Sequence, residues 1–243
     1  MKVIDCIWEN VNLDCRVAEV SILSIEDMDA KVLRDLESTY DYIVLKVPIK
    51  DPVLYQVIEE LGYHFFEAQL GMQADIESFA IPQDARTQAI CIEYQPIKVQ
   101  DRNEWQSLLN QMTRDMYTTD RIALDTQFGF DYSLRRYRNW SMSEFDRGTD
   151  CIKMVYKGNV IGLLVMKVVG DVIHGLLTGL YTKYQHQGLG VLIPLAPAIY
   201  KGTGCRTYMT VISSNNLPVI NKYIGLNYQV VDEHYVFVKH INE

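Results

Sequence analysis

Three apolar, β-rich runs joined by tight glycine turns constrain this chain most. They are CIKMVY (Cys151–Tyr156), VIGLLVMKVV (Val160–Val169) and VIHGLLTGLY (Val172–Tyr181), separated by KGN and GD. Turns this short between β-branched runs predict an antiparallel meander. A polar stretch with two glycines, TKYQHQGLG, follows, and the residues after it read as a helix to Tyr200. Cys205–Ser213 reads as a strand. NNLPVINKYIG reads as a short helix with Asn216 as cap candidate, and YQVVDEHYVFVKHI as a last strand or hairpin.

The first part of the chain alternates differently. Residues 1–25 read as strands, including Ala18–Leu23. Ser24 reads as a helix cap, with Met28, Val32, Leu33 and Leu36 at helical spacing behind it. Tyr40–Ile49 reads as a strand. Asp51 caps a helix with Pro52 at its first position and Gly62 past its end. HFFEAQLGMQ is again strand-like. Residues 76–96 hold two prolines and mixed character, which places a boundary there: an N-terminal α/β domain over 1–92 and a second domain over 93–243. In the second, Trp105, Leu108, Leu109, Met112 and Met116 make one helical face, and Asp131–Phe145 is another helix. A chain of 243 residues, 48% hydrophobic, can support this.

Strand, Gly-x-Gly turn, helix is an order with chemical use. A helix start carries unpaired N–H groups and a partial positive charge, and glycines let a ligand approach the backbone closely. No Gly-Lys-Ser/Thr follows, so the turn is not a nucleoside-triphosphate loop. The third glycine of a dinucleotide fingerprint is missing. Pro194 and Pro197 fall inside the following helix, where a proline removes a hydrogen bond, so that helix is expected to be irregular.

The run Leu180-Tyr181-Thr182-Lys183-Tyr184-Gln185-His186-Gln187-Gly188-Leu189-Gly190, followed by Asn216 and then Tyr223 seven positions on, resembles the GNAT superfamily of acyl-CoA N-acyltransferases. The resemblance covers roughly residues 97–243. It implies an α/β (α+β) GNAT fold: a mixed, mostly antiparallel central sheet flanked by helices, here behind a smaller N-terminal α/β domain. Over the whole chain, Cys6–Leu23, Val44–Gln73 and RYRNW (Arg136–Trp140) look like the TDP-fucosamine acetyltransferase type. That implies acetyl transfer from acetyl-CoA, as co-substrate, to the amine of a small molecule, an amino-sugar nucleotide first.

The resemblance also implies roles. Gly179, Leu180 and Tyr181 would pair with the pantetheine arm like an added strand. Gln185, His186, Gln187, Gly188, Leu189, Gly190 and Val191 would form the phosphate seat, with Asn216 and Tyr223 beside the donor. The Leu180 N–H would stabilise the oxyanion, and Tyr223 would protonate the leaving thiolate. Glu67, Asp125, Asp131 and Glu144 are unranked candidates for a base, and His174 is weighed against an ordinary strand histidine. Arg135–Arg138 could face substrate or simply be a helix face. A second reading keeps the glycine turn but not Tyr223: a non-catalytic acyl-CoA-binding module or sensor. A donor other than acetyl-CoA, such as an acyl carrier protein, is a further alternative.

The remaining expectations are exclusions. Lys+Arg of 23 against Asp+Glu of 31 gives a net charge of −8, which does not suit a nucleic-acid backbone. Cys6, Cys15, Cys91, Cys151 and Cys205 are odd in number and scattered, so free thiols in a cytoplasmic protein are expected. The five histidines show no ligand spacing, so no metal is expected. The opening residues lack an apolar signal core, and Gly188–Tyr200 is too short to span a membrane. A homodimer is the family's expectation.

Overall fold

Strand and helix alternate from the first residues. The structure, a computed structural model, describes residues 1–241. It divides into two units. One comprises Met1–Leu70, Ser213–Asn215 and the C-terminal segment from Asp232; the other comprises Gly71–Ile212 and Asn216–Val231.

The first unit opens with β1 (Lys2–Asp5), α1 (Ile7–Leu13), β2 (Val17–Ser21), α2 (Ala30–Glu37), β3 (Tyr42–Pro48), α3 (Pro52–Glu60) and the start of β4 (His64–Asp75), which from Gly71 belongs to the second unit. α1 corrects the expectation of strands throughout residues 1–25. Its end is a left-handed Asp14, φ 56°, which turns the chain into β2. The cap of α2 also differs from expectation. Ser24 precedes only a 3-10 turn and makes no capping bond. Asp29 starts the helix instead, its carboxylate accepting from the N–H groups of Lys31 and Val32. α3 follows the sequence signals: Asp51 accepts from the Leu54 N–H, Pro52 sits in the first turn, and Gly62 ends it at φ 83°. β2 and β3 run parallel, and β1 is antiparallel to β2. Val20, Leu33, Leu45, Leu54, Ile58 and Phe237 lie in its core.

The second unit continues with α4 (Ala85–Ile92), β5 (Tyr94–Lys98), α5 (Arg102–Asn110), α6 (Arg121–Leu124), α7 (Phe130–Asp146), β6 (Asp150–Tyr156), β7 (Asn159–Val169) and β8 (Val172–Leu180). After these come α8 (Leu192–Leu195), β9 (Thr207–Ser213) and α9 (Leu217–Gly225). The strand order is β9-β8-β7-β6-β5. β5 to β8 are all antiparallel, so the meander forms as the sequence indicates, and β9 joins β8 in parallel. One face is filled by Trp105, Leu109, Met112, Leu163, Val165 and Leu177. α5 stops at Asn110, earlier than its apolar stripe suggests; Met116 lies in a separate 3-10 turn, Arg114–Met116. Arg138 explains the stop. Its guanidinium donates to the carbonyls of Leu109 at 3.1 Å, Asn110 at 3.2 Å and Met112, closing the helix end.

The last strand, β10 (Gln229–His240), returns to the first unit. There it pairs antiparallel with β3, from His234↔Pro48 to His240↔Tyr42. Among the described residues no helix is long and apolar enough to cross a membrane.

Candidate functional site

A bulge and a splay shape β8. The register with β7 shifts between Val165 and Met166, so Leu177 faces Val165, Gly175 faces Met166, and Leu176 is the extra residue. On the other edge, β8 pairs with β9 only from Val172↔Thr207 to Gly175↔Thr210. Beyond that point β8 runs on for five residues, Leu176 to Leu180, with no paired neighbour on the β9 side among the described residues. The Tyr181 N–H donates to the Ile161 carbonyl at 2.9 Å. Ladder hydrogen bonds alternate along an antiparallel strand, so the N–H groups of Leu180 and Thr178 point the other way, to the open edge. Backbone donors there are available to a ligand lying along β8.

Each sequence-predicted residue has a definite place. Gly179 faces α5's side: a Cβ on it would lie 2.6 Å from the Tyr117 hydroxyl and 2.8 Å from Met116 Cε. The glycine is therefore required for packing, whatever else it does. Tyr181 is buried in the same cluster and its hydroxyl donates to the Leu108 carbonyl at 2.8 Å, which makes the side chain a core anchor. Gln185 turns back and donates to the Leu180 carbonyl at 3.1 Å, fixing the turn to the strand end. His186 is exposed, with φ 59°. Gln187 donates to the Lys183 carbonyl at 2.6 Å. Gly188 takes φ 83°, which a glycine adopts without strain.

The segment after the turn is broken, as the prolines imply. Leu189–Val191 is 3-10, Leu192–Leu195 is a single α turn, and Ala196–Tyr200 is 3-10 again with Pro197 near its start. Leu189 is buried; Gly190 and Val191 are partly exposed. The carbonyl of Pro194 accepts from the Tyr228 hydroxyl at 2.7 Å, so the break is held by side-chain bonding. Asn216 precedes α9 but its side chain makes no capping bond; only its carbonyl accepts, from Val219 and Ile220.

Tyr223 stands inside the unit. It is fully buried, and its ring lies 4.5 Å from that of Tyr228. Burial, and after it the neighbouring Tyr208 and Tyr228, hold its hydroxyl pKa well above 10, while Thr178 beside it tempers the rise. The group thus keeps its proton through the neutral range. Thr178, which lies beside Tyr223, is on β8 two residues before Leu180.

Tyr208 and Gly175 were not singled out in the sequence. Tyr208 is fully buried on β9, and a Cβ on Gly175 would lie 1.9 Å from its hydroxyl. The phenol therefore lies across β8 where the two strands part. Its oxygen lies near Tyr223 and Thr210 but completes no hydrogen bond of normal geometry. A buried, unpartnered hydroxyl at this point is a polar feature without internal use. Nothing in the sequence marks it, since Tyr208 is one of 16 tyrosines.

Cations gather at the glycine turn. Arg86, set by the Asp84-capped first turn of α4, donates to the Gln187 carbonyl at 3.3 Å. Its guanidinium lies 2.3 Å from where a Gly188 Cβ would be, and Lys222 Cε lies 3.0 Å from the corresponding point on Gly190.

The acidic candidates separate. Glu144 is committed to structure, with Arg147 at 2.6 Å and Thr149 at 2.7 Å on its two oxygens. Asp125 accepts from the Gln127 N–H at 3.0 Å, and Asp131 is exposed. Glu67 belongs to the first unit, where Gln69 holds one carboxylate oxygen and the other is buried without a partner. Of the arginine run, Arg138 is the α5 clamp described above, and Arg135 and Arg136 lie over Tyr132, Tyr137 and Trp140. His174 sits within β8, opposite Lys167 and Met209.

No family model matches the chain, and no curated protein does. Solved structures do. A GCN5-related N-acetyltransferase from Sphaerobacter thermophilus is 10% identical with a TM-score of 0.59; the match covers 83% of this chain and 60% of that one, so the chain spans less than two thirds of that relative. One from Kribbella flavida is 13% identical with a TM-score of 0.57, over 92% and 81%. A glucosamine N-acetyltransferase region of a fungal multi-domain β-N-acetylglucosaminidase is 11% identical with a TM-score of 0.57, over 81% of this chain and 25% of that one. With the bulged, splayed β8 and the strand order around it, these likenesses show that the chain has the GNAT fold.

Proposed function

We propose that the protein is an N-acyltransferase that moves an acetyl group from acetyl-CoA to the primary amine of a small molecule. The open edge of β8, with a buried, proton-holding Tyr223 beside it, carries this reading. The donor thioester supplies an electrophilic carbonyl and a sulfur leaving group. The Leu180 N–H faces the open edge, where it can stabilise oxyanion charge. Tyr223 holds a proton for the departing sulfur, with Thr178 of β8 beside it. The acceptor amine attacks the thioester carbonyl, the C–S bond breaks as the amide C–N bond forms, and the surplus proton of the nitrogen passes to solvent water. Leu177 and the core behind it fix β8, so these groups are set by packing before any ligand arrives.

An amino-sugar nucleotide is the first acceptor class to test. The glucosamine-acting neighbour and the likeness of residues 6–23 and 44–73 to TDP-fucosamine acetyltransferases support it. Titration calorimetry with acetyl-CoA comes first, then an amine screen led by TDP-amino sugars and scored by free thiol release. Tyr223→Phe is expected to keep acetyl-CoA binding while turnover falls by about 10² or more, the usual scale for a lost general acid. Undiminished turnover in that variant would remove Tyr223 from the mechanism. Acetyl-CoA binding without turnover on any amine would favour the sensor reading.

A further inference from the structure

We infer that Tyr208 is a positioning residue for the transfer step: its buried hydroxyl, unbonded at rest, donates to the Tyr223 oxygen as Tyr223 passes its proton to the departing sulfur. The inference rests on the acyltransferase reading above and adds a second residue to its leaving-group chemistry. The place of the hydroxyl follows from β9. Tyr208 and Thr210 are two apart on that strand and so share one of its faces. The Thr210 hydroxyl donates to the Gly175 carbonyl at 2.9 Å, at the last pair before β8 and β9 part. Tyr208 reaches the same residue: its Oη lies 1.9 Å from where a Gly175 Cβ would be. Its ring stands edge-on to Tyr228, centroids 5.9 Å apart, and Tyr223 packs on that same Tyr228 ring at 4.5 Å. The Tyr208 and Tyr223 hydroxyls are neighbours in this cluster.

The Tyr228 hydroxyl donates to the Pro194 carbonyl at 2.7 Å and that of Thr210 to Gly175, so both are committed. The Tyr208 hydroxyl is not. Among the described residues it completes no hydrogen bond of normal geometry, although it is fully buried. A ring alone would fill this space, and a buried hydroxyl without a partner is a cost unless a later state supplies one. The reaction supplies it. As the C–S bond breaks, the Tyr223 O–H bond breaks and an S–H bond forms, which leaves a phenolate. Water returns a proton to Tyr223, matching the one the acceptor nitrogen releases, so none is consumed. Tyr223 is fully buried, and a hydrogen bond to a charged oxygen is stronger there than one to a neutral phenol. Burial holds the Tyr208 pKa above 10, so this hydroxyl meets the phenolate with its proton on. An interaction made only as charge develops speeds the step without tightening substrate binding.

The test compares Tyr208→Phe, Tyr223→Phe and the double variant in the full chain. Acetyl-CoA is the donor and hydroxylamine the acceptor, and free thiol release above the uncatalysed blank is the readout. Tyr208→Phe is expected to melt no lower than wild type and to keep its KM for acetyl-CoA. Its kcat should fall about 10- to 100-fold, the scale of a hydrogen bond to a charged group. In Tyr223→Phe no phenolate forms, so adding Tyr208→Phe should cost less than about twofold more. S-(4-nitrophenyl) thioacetate releases a thiolate that needs no proton, so Tyr208→Phe should turn it over nearly as fast as wild type does. A Tyr208→Phe loss that persists in full with that donor overturns the inference, as does an equal loss in the Tyr223→Phe background. So does a Tyr208→Phe kcat within about twofold of wild type, or a loss confined to KM. In each of those cases wild type still turns over, and the acyltransferase reading is kept. A wild type that releases no thiol from either donor, with hydroxylamine or with the screened TDP-amino sugars, ends both readings.

Discussion

Replacing Gly175 by alanine tests the geometry at the point where β8 and β9 separate. The added Cβ would sit 1.9 Å from Tyr208 Oη, 2.6 Å from its Cζ and 2.9 Å from its Cε2. Those atoms belong to a rigid ring that is fully buried, so they cannot swing into solvent. The ring or the strand must shift. Overpacking of this kind costs about 1–3 kcal/mol. Taking about 2 kcal/mol and a urea dependence of about 2.5 kcal/mol per M, the midpoint should fall by about 0.8 M. Urea unfolding followed by fluorescence reads this directly. Truncating the ring in Gly175→Ala/Tyr208→Ala removes all three clashing atoms, so the double variant should lose less than the two single losses added together. A coupling of about 1 kcal/mol or more is expected for groups in contact. A Gly175→Ala protein within about 0.5 kcal/mol of wild type, or strictly additive losses, would mean that Tyr208 does not lie across Gly175.

Two further outcomes follow from buried groups. Tyr208→Phe removes a hydroxyl that completes no internal hydrogen bond, so the free protein should be unchanged or up to about 1 kcal/mol more stable by thermal melt; a clear loss would show that the hydroxyl is satisfied. Burial first, with help from Glu19 and Glu9, pushes the Cys6 thiol from 9.0 to about 11; burial first, then Glu144 and Asp150, pushes Cys151 to about 12. Raised folded-state values add stability that is whole below pH 9 and is lost as pH climbs through about 11 to about 12. Both thiols should resist iodoacetamide at pH 8 in the folded protein and react after unfolding, with mass spectrometry as the readout; rapid native labelling of Cys151 would refute its burial.

Much of the second unit is legible in the sequence because its signals are local. The apolar runs at Cys151–Tyr181 and their short glycine turns leave antiparallel pairing as the only economical arrangement. Pro194 and Pro197 remove helical donors wherever they stand, and the segment Leu189–Tyr200 is broken accordingly. Asp51 with Pro52 starts a helix because a carboxylate can reach the free N–H groups of the first turn. The same rule misplaced the start of α2, since Ser24 and Asp29 both qualify as caps and Asp29 is the one whose carboxylate meets the free N–H groups of the first turn.

What the sequence determined by itself, then, is many of the elements whose hydrogen bonds close within a few residues, though not α1 or α4, together with the glycine turn. Everything that depends on long-range approach was decided by tertiary structure. The return of β10 to β3 joins residues nearly two hundred apart, and no local pattern encodes it. Gly175 and Gly179 are glycines because the rings of Tyr208 and Tyr117 lie against them. Arg86 reads as part of a linker until α4 carries it onto Gly188. Local rules state which backbone shapes a residue allows; which side chain fills the space beside it is set only when distant segments pack.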